Sequence, residues 1–202
     1  FAARSAAPVT FLQINDVYST LPTDGQGGLA RVATLRQRLA SEGRTPLFVI
    51  AGDFLGPSVA SSVFHGEQMI AALNAAGLDI AAFGNHEFDF GKDVLLKRMA
   101  ESHFQWLSTN VLDASTGKPI GGAAPYVIRT FGSLKVGFIG LCLTTSEIAR
   151  DVLKGITLVD PMQATARYLP LLKRDGADVI VAITHLTFAA DRALADRFPQ
   201  ID

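Results

Sequence analysis

The feature that most constrains this chain is an alternation between two hydrophobic periods. Short apolar runs, Val9–Ile14, Leu47–Ala51, Ile80–Phe83, Lys135–Leu141 and Val179–Ile183, are rich in β-branched or aromatic residues and are flanked by Gly, Asp or Asn. Unbroken apolarity over so few residues predicts strands covered on both faces. Between them lie stretches with helical spacing. In Leu29–Leu39 the residues Leu29, Val32, Leu35 and Leu39 recur every three or four positions, and Gly43 follows as a stop. Gln68–Ala76 ends at Gly77, Val94–Ala100 follows Gly91-Lys92-Asp93, and Met162–Lys173 starts behind Asp160-Pro161 and stops before Gly176. Strands alternating with helices predict a layered α/β fold with a largely parallel sheet. Asn110–Phe131 breaks the rhythm with Gly117, Pro119, Gly121, Gly122 and Pro125. It reads as a loop leading into a hairpin, Tyr126–Thr130 against Leu134–Gly140 across Phe131-Gly132-Ser133, with no domain boundary. One domain over residues 9–202 is expected, preceded by a short tail.

Composition removes several function classes. The 202 residues are 49% apolar, enough to bury a core, and 18 basic against 19 acidic residues leave a net charge of −1. So neutral a chain carries no electrostatic footprint for polymeric nucleic acid or an anionic membrane surface. No apolar run approaches the roughly 20 residues that span a bilayer. Cys142 is the single cysteine, which excludes an internal disulfide framework, and its apolar setting predicts a buried strand thiol. Phe1–Pro8 is rich in Ala and Ser without an apolar signal region, as in a processed end, a tag remnant or an ordinary tail.

The polar residues that end the apolar runs carry the chemistry. The first run leads into Asn15-Asp16-Val17-Tyr18, the second into Gly52-Asp53, the third into Gly84-Asn85-His86-Glu87-Phe88-Asp89, and a later one into Thr184-His185. In open α/β sheets the carboxyl ends of strands form the ligand-binding edge. Taken singly, Asp16 or Asp53 could cap a turn, Asn85 could occupy a left-handed position, and His185 could be a satisfied core-edge histidine. Taken together, two carboxylates, an amide oxygen and an imidazole along one edge offer oxygen and nitrogen donors suited to Zn, Mn or similar metals.

Three blocks make the pattern specific: Gly52-Asp53-Phe54-Leu55-Gly56-Pro57-Ser58, Leu73-Asn74-Ala75-Ala76-Gly77, and Gly84-Asn85-His86-Glu87-Phe88-Asp89-Phe90-Gly91. They resemble the signature blocks of the bacterial 5′-nucleotidase family, within the calcineurin-like metallophosphoesterases, and the resemblance runs from about Val9 to the end of the chain. It implies a layered sandwich of mostly parallel or mixed sheets flanked by helices. It also implies hydrolysis of phosphate monoesters, above all nucleoside 5′-monophosphates, by two divalent metal ions such as Mn, Zn or Co. Carried over position by position, Asp16 binds the first metal, Asp53 bridges both, and Asn85 and His185 bind the second. His86, pointing away from the metals, acts on the phosphate, and Asp89 orients it. A bridging carboxylate meets the need of two cations about 3.5–4 Å apart for a shared anion.

The chain departs from the family pattern twice. The first block is normally Asp-x-His, and here Tyr18 takes the third position. With an ordinary pKa of about 10, a phenol is a poor ligand at neutral pH. It could coordinate as phenolate, hold a metal-bound water or do neither, and a weakened first site is expected. The family's Gly-His-x-His and its C-terminal base-binding domain are also missing from these residues. The resemblance therefore describes an N-terminal catalytic domain incomplete at its C-terminal end, with little hydrolysis expected of it alone. It further implies a periplasmic or secreted location and places Asn110 in the cleft. The rival expectations are a degenerate nucleotide-binding or other ligand-binding protein with an impaired metal site, or a related hydrolase of cyclic nucleotides or nucleotide sugars.

Overall fold

The computed structural model describes residues 8–144 and 151–202. The tail expected at Phe1–Pro8 therefore lies, up to residue 7, outside the described residues.

The fold is organised around β2 (Leu47–Ala51), every residue of which is buried. Its Phe48 and Ile50 pack toward helices, while Leu47, Val49 and Ala51 pack toward a second sheet. This two-sided burial is what a continuous apolar run in a parallel strand encodes. Beside it lie β1 (Phe11–Ile14), β3 (Ile80–Ala82) and β4 (Gln105–Leu107), in the parallel order β1-β2-β3-β4. The second sheet is mixed. β6 (Val127–Phe131) and β7 (Leu134–Cys142) form the expected hairpin, and β9 (Val179–His185) runs parallel to β7. Phe131 pairs with Leu134, so the turn is Gly132-Ser133, one residue shorter than the sequence suggests. Gly132 supplies the left-handed φ of +62°.

Helices cover both outer faces. α1 (Leu29–Ser41), α3 (Glu67–Ala76) and α4 (Gly91–Glu101) lie on the first sheet, contributing Leu29, Met69, Leu73 and Leu95 to its core. α5 (Pro161–Arg174) and α6 (Phe188–Arg197) cover the second sheet through Ala164, Leu169, Leu172 and Leu194. Between the sheets Val49, Ala82 and Leu107 meet Val136, Phe138 and Ile183. The layered α/β sandwich expected from the sequence is the architecture found. α5 begins as predicted, with Pro161 in its first turn and the Asp160 carboxylate accepting the Gln163 N–H at 2.9 Å.

Asn110–Phe131 is not a plain loop. It contains β5 (Val111–Asp113), which pairs antiparallel with β8 (Ile156–Leu158), and a 3₁₀ turn at Ile120–Gly122. Each strand is three residues long and draws its partner from more than forty residues away, so no local period reveals it. Cys142 is buried on β7 as expected, and burial pushes its thiol pKa well up.

Candidate metal centre

Parallel pairing sets the ends of the first sheet level. Ile14 pairs with Ile50, and just beyond them the Asp16 N–H donates to the Gly52 carbonyl at 3.2 Å. Both following carboxylates stand on left-handed backbone, Asp16 at φ +53° and Asp53 at φ +58°. This conformation is uncommon outside glycine but is enriched in Asp. Glycine is required around them. A Cβ on Gly52 would overlap the Gly84 backbone, and a Cβ on Gly84 would overlap the Asp53 carboxylate.

His185, the last residue of β9, reaches this edge from the second sheet. Its Nδ1 meets the Ala51 carbonyl at 2.8 Å and its Nε2 lies 3.2 Å from Asp53 Oδ2. The Ala51 carbonyl takes the Nδ1–H, so Nε2 is the nitrogen that faces the cluster: protonated, it donates to Asp53, and deprotonated, it offers its lone pair to a metal. One ligand atom each from Asp16, Asp53 and His185 lies within 4.8 Å of the others. Burial pushes the His185 pKa down, but the hydrogen bond to Asp53 and that carboxylate's charge outweigh it and raise the pKa from 6.5 to about 9. For Asp53, burial acts upward, yet the bonds from His185 and from the His86 N–H win and hold its pKa below the usual carboxylate value.

The remaining sequence candidates surround this cluster. Tyr18 donates its hydroxyl to Asp16 Oδ1 at 2.8 Å and lies 3.3 Å from Asp53 Oδ2. Burial, followed by the Asp16 bond, pushes its phenol further above the ordinary value. Asn85 heads the turn after β3, half-buried and making no capping hydrogen bond. The next residue, His86, donates its N–H to Asp53 Oδ1 at 2.9 Å. His86 Nδ1 lies 2.9 Å from Asp89 Oδ2, three residues on, as the spacing suggested. With Nδ1 committed to Asp89, Nε2 faces Asp53 Oδ2 at 4.0 Å. The Tyr18 ring packs edge-on against the His86 ring at 6.0 Å.

Two residues differ from their sequence reading. Asn110 does not line the cleft. It is fully buried, accepting from the Cys142 N–H at 2.9 Å and donating to the carbonyls of Cys142 at 2.7 Å and Val159 at 2.9 Å. Glu87, which has no role in the sequence reading, is 1% exposed, and its carboxylate accepts the N–H groups of Asp53, Phe54, Leu55 and Gly84. Burial raises its pKa, aided by the charge of Asp53 and opposed by those N–H bonds. Its one local signal is its place inside the Gly84–Gly91 block.

The donors fit a divalent cation: two carboxylates and an imidazole nitrogen converge on one small volume, with the protonated Tyr18 hydroxyl held against both acids. The family model for calcineurin-like phosphoesterases matches residues 9–200. The chain belongs to the calcineurin-like phosphoesterases. Other members are similar across most of it. A 2′,3′-cyclic-nucleotide 2′-phosphodiesterase/3′-nucleotidase of Salmonella typhimurium is 30% identical, over 87% of this chain and 30% of its own length. A 5′-nucleotidase of Vibrio cholerae is 30% identical, over 88% of this chain and 34% of its own length. The solved 5′-nucleotidase precursor of Thermus thermophilus superimposes with a TM-score of 0.80 at 28% identity, over 93% of this chain and 39% of that structure. This calcineurin-like phosphoesterase chain thus spans about a third of the length of the relatives it matches. Among its described residues no helix is long and apolar enough to cross a membrane.

Proposed function

We propose that this chain carries the metal-binding and phosphate-handling residues of a phosphomonoesterase acting on nucleotides, with nucleoside 5′-monophosphates as the leading substrate class. The observation that carries the reading is the convergence of Asp16, Asp53 and His185 beside the His86–Asp89 pair. Asp16, Asp53 and His185 would hold divalent metal, with Asp53 as the bridging anion if two ions bind and Asn85 supplying a neutral oxygen. Once bound, such ions supply Lewis acidity toward a phosphoryl oxygen and toward water.

The chain's own residues supply the rest. Asp89 accepts the Nδ1–H of His86 and orients the ring, so that the imidazolium form carries an Nε2–H able to donate to a phosphoryl oxygen or to protonate the departing alkoxide. Tyr18 holds its proton between Asp16 and Asp53, which favours a weaker first metal position over a phenolate ligand. The nucleotidase names of the relatives support the nucleotide substrate, and the precursor form of the Thermus protein supports export. Contacts to the base are assigned to the part of the relatives that this chain does not span.

The test is phosphate release from a nucleoside 5′-monophosphate by the full-length protein with Mn(II) or Co(II). Exhaustive chelation should abolish turnover and metal should restore it. Turnover that survives chelation overturns the proposal.

A further inference from the structure

We infer that Glu87 is the positioning residue of this centre, a buried carboxylate that holds the Asp53 turn in the one backbone conformation able to aim Asp53 at Asp16 and His185. The inference rests on the reading of Asp53 as a metal ligand.

Three consecutive N–H groups, those of Asp53, Phe54 and Leu55, converge on Glu87 at 2.8, 2.8 and 3.2 Å, and the Gly84 N–H joins them at 2.6 Å. Successive N–H groups bent into such a concavity form an anion-binding nest. Here the nest is filled by a side chain of the same chain. The division is symmetrical: Oε2 takes Asp53 and Gly84, while Oε1 takes Phe54 and Leu55. Two strand ends are therefore tied through one carboxylate, the end of β2 and the end of β3.

Asp53 needs that tie. Its left-handed φ of +58° is a strained choice for a residue with a Cβ, and such strain persists only where the surroundings enforce it. With its N–H held by Glu87, its side chain projects the other way, to His185 Nε2 and the His86 N–H. Glu87 makes no contact with the metal volume itself. It acts through Asp53.

Glutamine is nearly the same size but cannot do this work. It has one acceptor oxygen and one NH₂, so either orientation sets the NH₂ against two backbone N–H groups. Glu87→Gln should speed hydrogen exchange of the amides at 53–55 by about tenfold or more and weaken Mn(II) binding by about tenfold or more. Glu87→Asp keeps the carboxylate and carries the same comparison at smaller amplitude should Glu87→Gln not fold.

The control is Arg98→Met, which breaks the ion pairs of the buried Arg98 guanidinium with Glu67 and Glu101, away from the site. It should lower the unfolding midpoint yet leave Mn(II) affinity within about twofold. Unchanged exchange at 53–55 in the Glu87 variants, unchanged affinity, or an equal affinity loss in Arg98→Met overturns the inference. If the wild-type protein takes up no Mn(II), the metal reading of the site falls instead. The exchange comparison then decides the clamp alone, faster exchange supporting it and unchanged exchange overturning it.

Discussion

The proton on His185 competes with metal for the same nitrogen. In the metal-free protein Nε2 bonds Asp53 at 3.2 Å and the ring pKa stands near 9, so at neutral pH the imidazole is charged. A cation entering among Asp16, Asp53 and His185 must displace that proton, because only the neutral ring is a ligand. Below pH 9 each pH unit then changes apparent affinity about tenfold, or about 1.4 kcal/mol. Between pH 6 and pH 8 Mn(II) binding should tighten about a hundredfold, with about one proton released per ion.

Titration calorimetry in two buffers of different ionisation enthalpy measures both quantities, and His185→Gln should flatten the slope and abolish the release. Affinity that stays level from pH 6 to pH 8 in the wild-type protein, or binding without proton release, refutes the assignment. The metal-free stability runs the opposite way. The rise from 6.5 to about 9 corresponds to ~3 kcal/mol of ion pairing, which solvent screening lowers to roughly 2. That contribution is fully present below pH 6.5 and is lost as pH rises through 9, so the metal-free protein should be less resistant to urea at pH 10 than at pH 6.

Asn110→Ala removes the three hydrogen bonds of a buried amide and strands the Cys142 N–H; urea unfolding should show a loss of ~3–5 kcal/mol, and a loss below about 1 would show that water replaces the amide. Gly84→Ala drives a methyl into the Asp53 carboxylate, so Mn(II) affinity should fall by about tenfold or more, and binding at wild-type strength would mean that the turn relaxes freely. Tyr18→His replaces a proton-holding phenol with a neutral nitrogen donor and should tighten Mn(II) binding about tenfold; an unchanged or weaker dissociation constant by competition with a fluorescent chelator would make Tyr18 itself a working ligand.

The long elements of the fold were legible because their burial is written in their own residues. β2 lies within its expected bounds, and α1 runs two residues beyond Leu39. The two helices that the sequence did not reveal bury almost nothing. α2 (Val59–Phe64) exposes 87% of Val59 and sinks only Ser61, and α6 opens with Phe188 at 79% exposure and sinks only Leu194. Without an apolar face toward the core, neither leaves a helical period in the sequence. Their starts are set instead by Ser58 and Thr187, whose hydroxyls accept N–H groups three residues on.

The site divides along the same line, between what a residue's own type reveals and what only pairing across the sheet supplies. Acids and imidazoles that end apolar runs stand out by type, which is why Asp16, Asp53 and His185 could be named before their convergence was seen. Their convergence depends on register. Ile14 opposite Ile50 levels two strand ends, and Cys142 opposite His185 brings β9 to the same height from the other sheet. A shift of one residue in either pairing would turn a carboxylate or an imidazole to the opposite face and disperse the cluster. Glu87 carries no such mark of its own. Its partners at Asp53, Phe54 and Leu55 are more than thirty residues away and are backbone N–H groups, which every sequence offers at nearly every position. What singles out those three is the left-handed turn at Asp53, and that turn is itself held by the carboxylate it helps to bury. Such mutual dependence has no local signature, so a sequence can display the groups that meet a ligand while concealing the group that holds them in place.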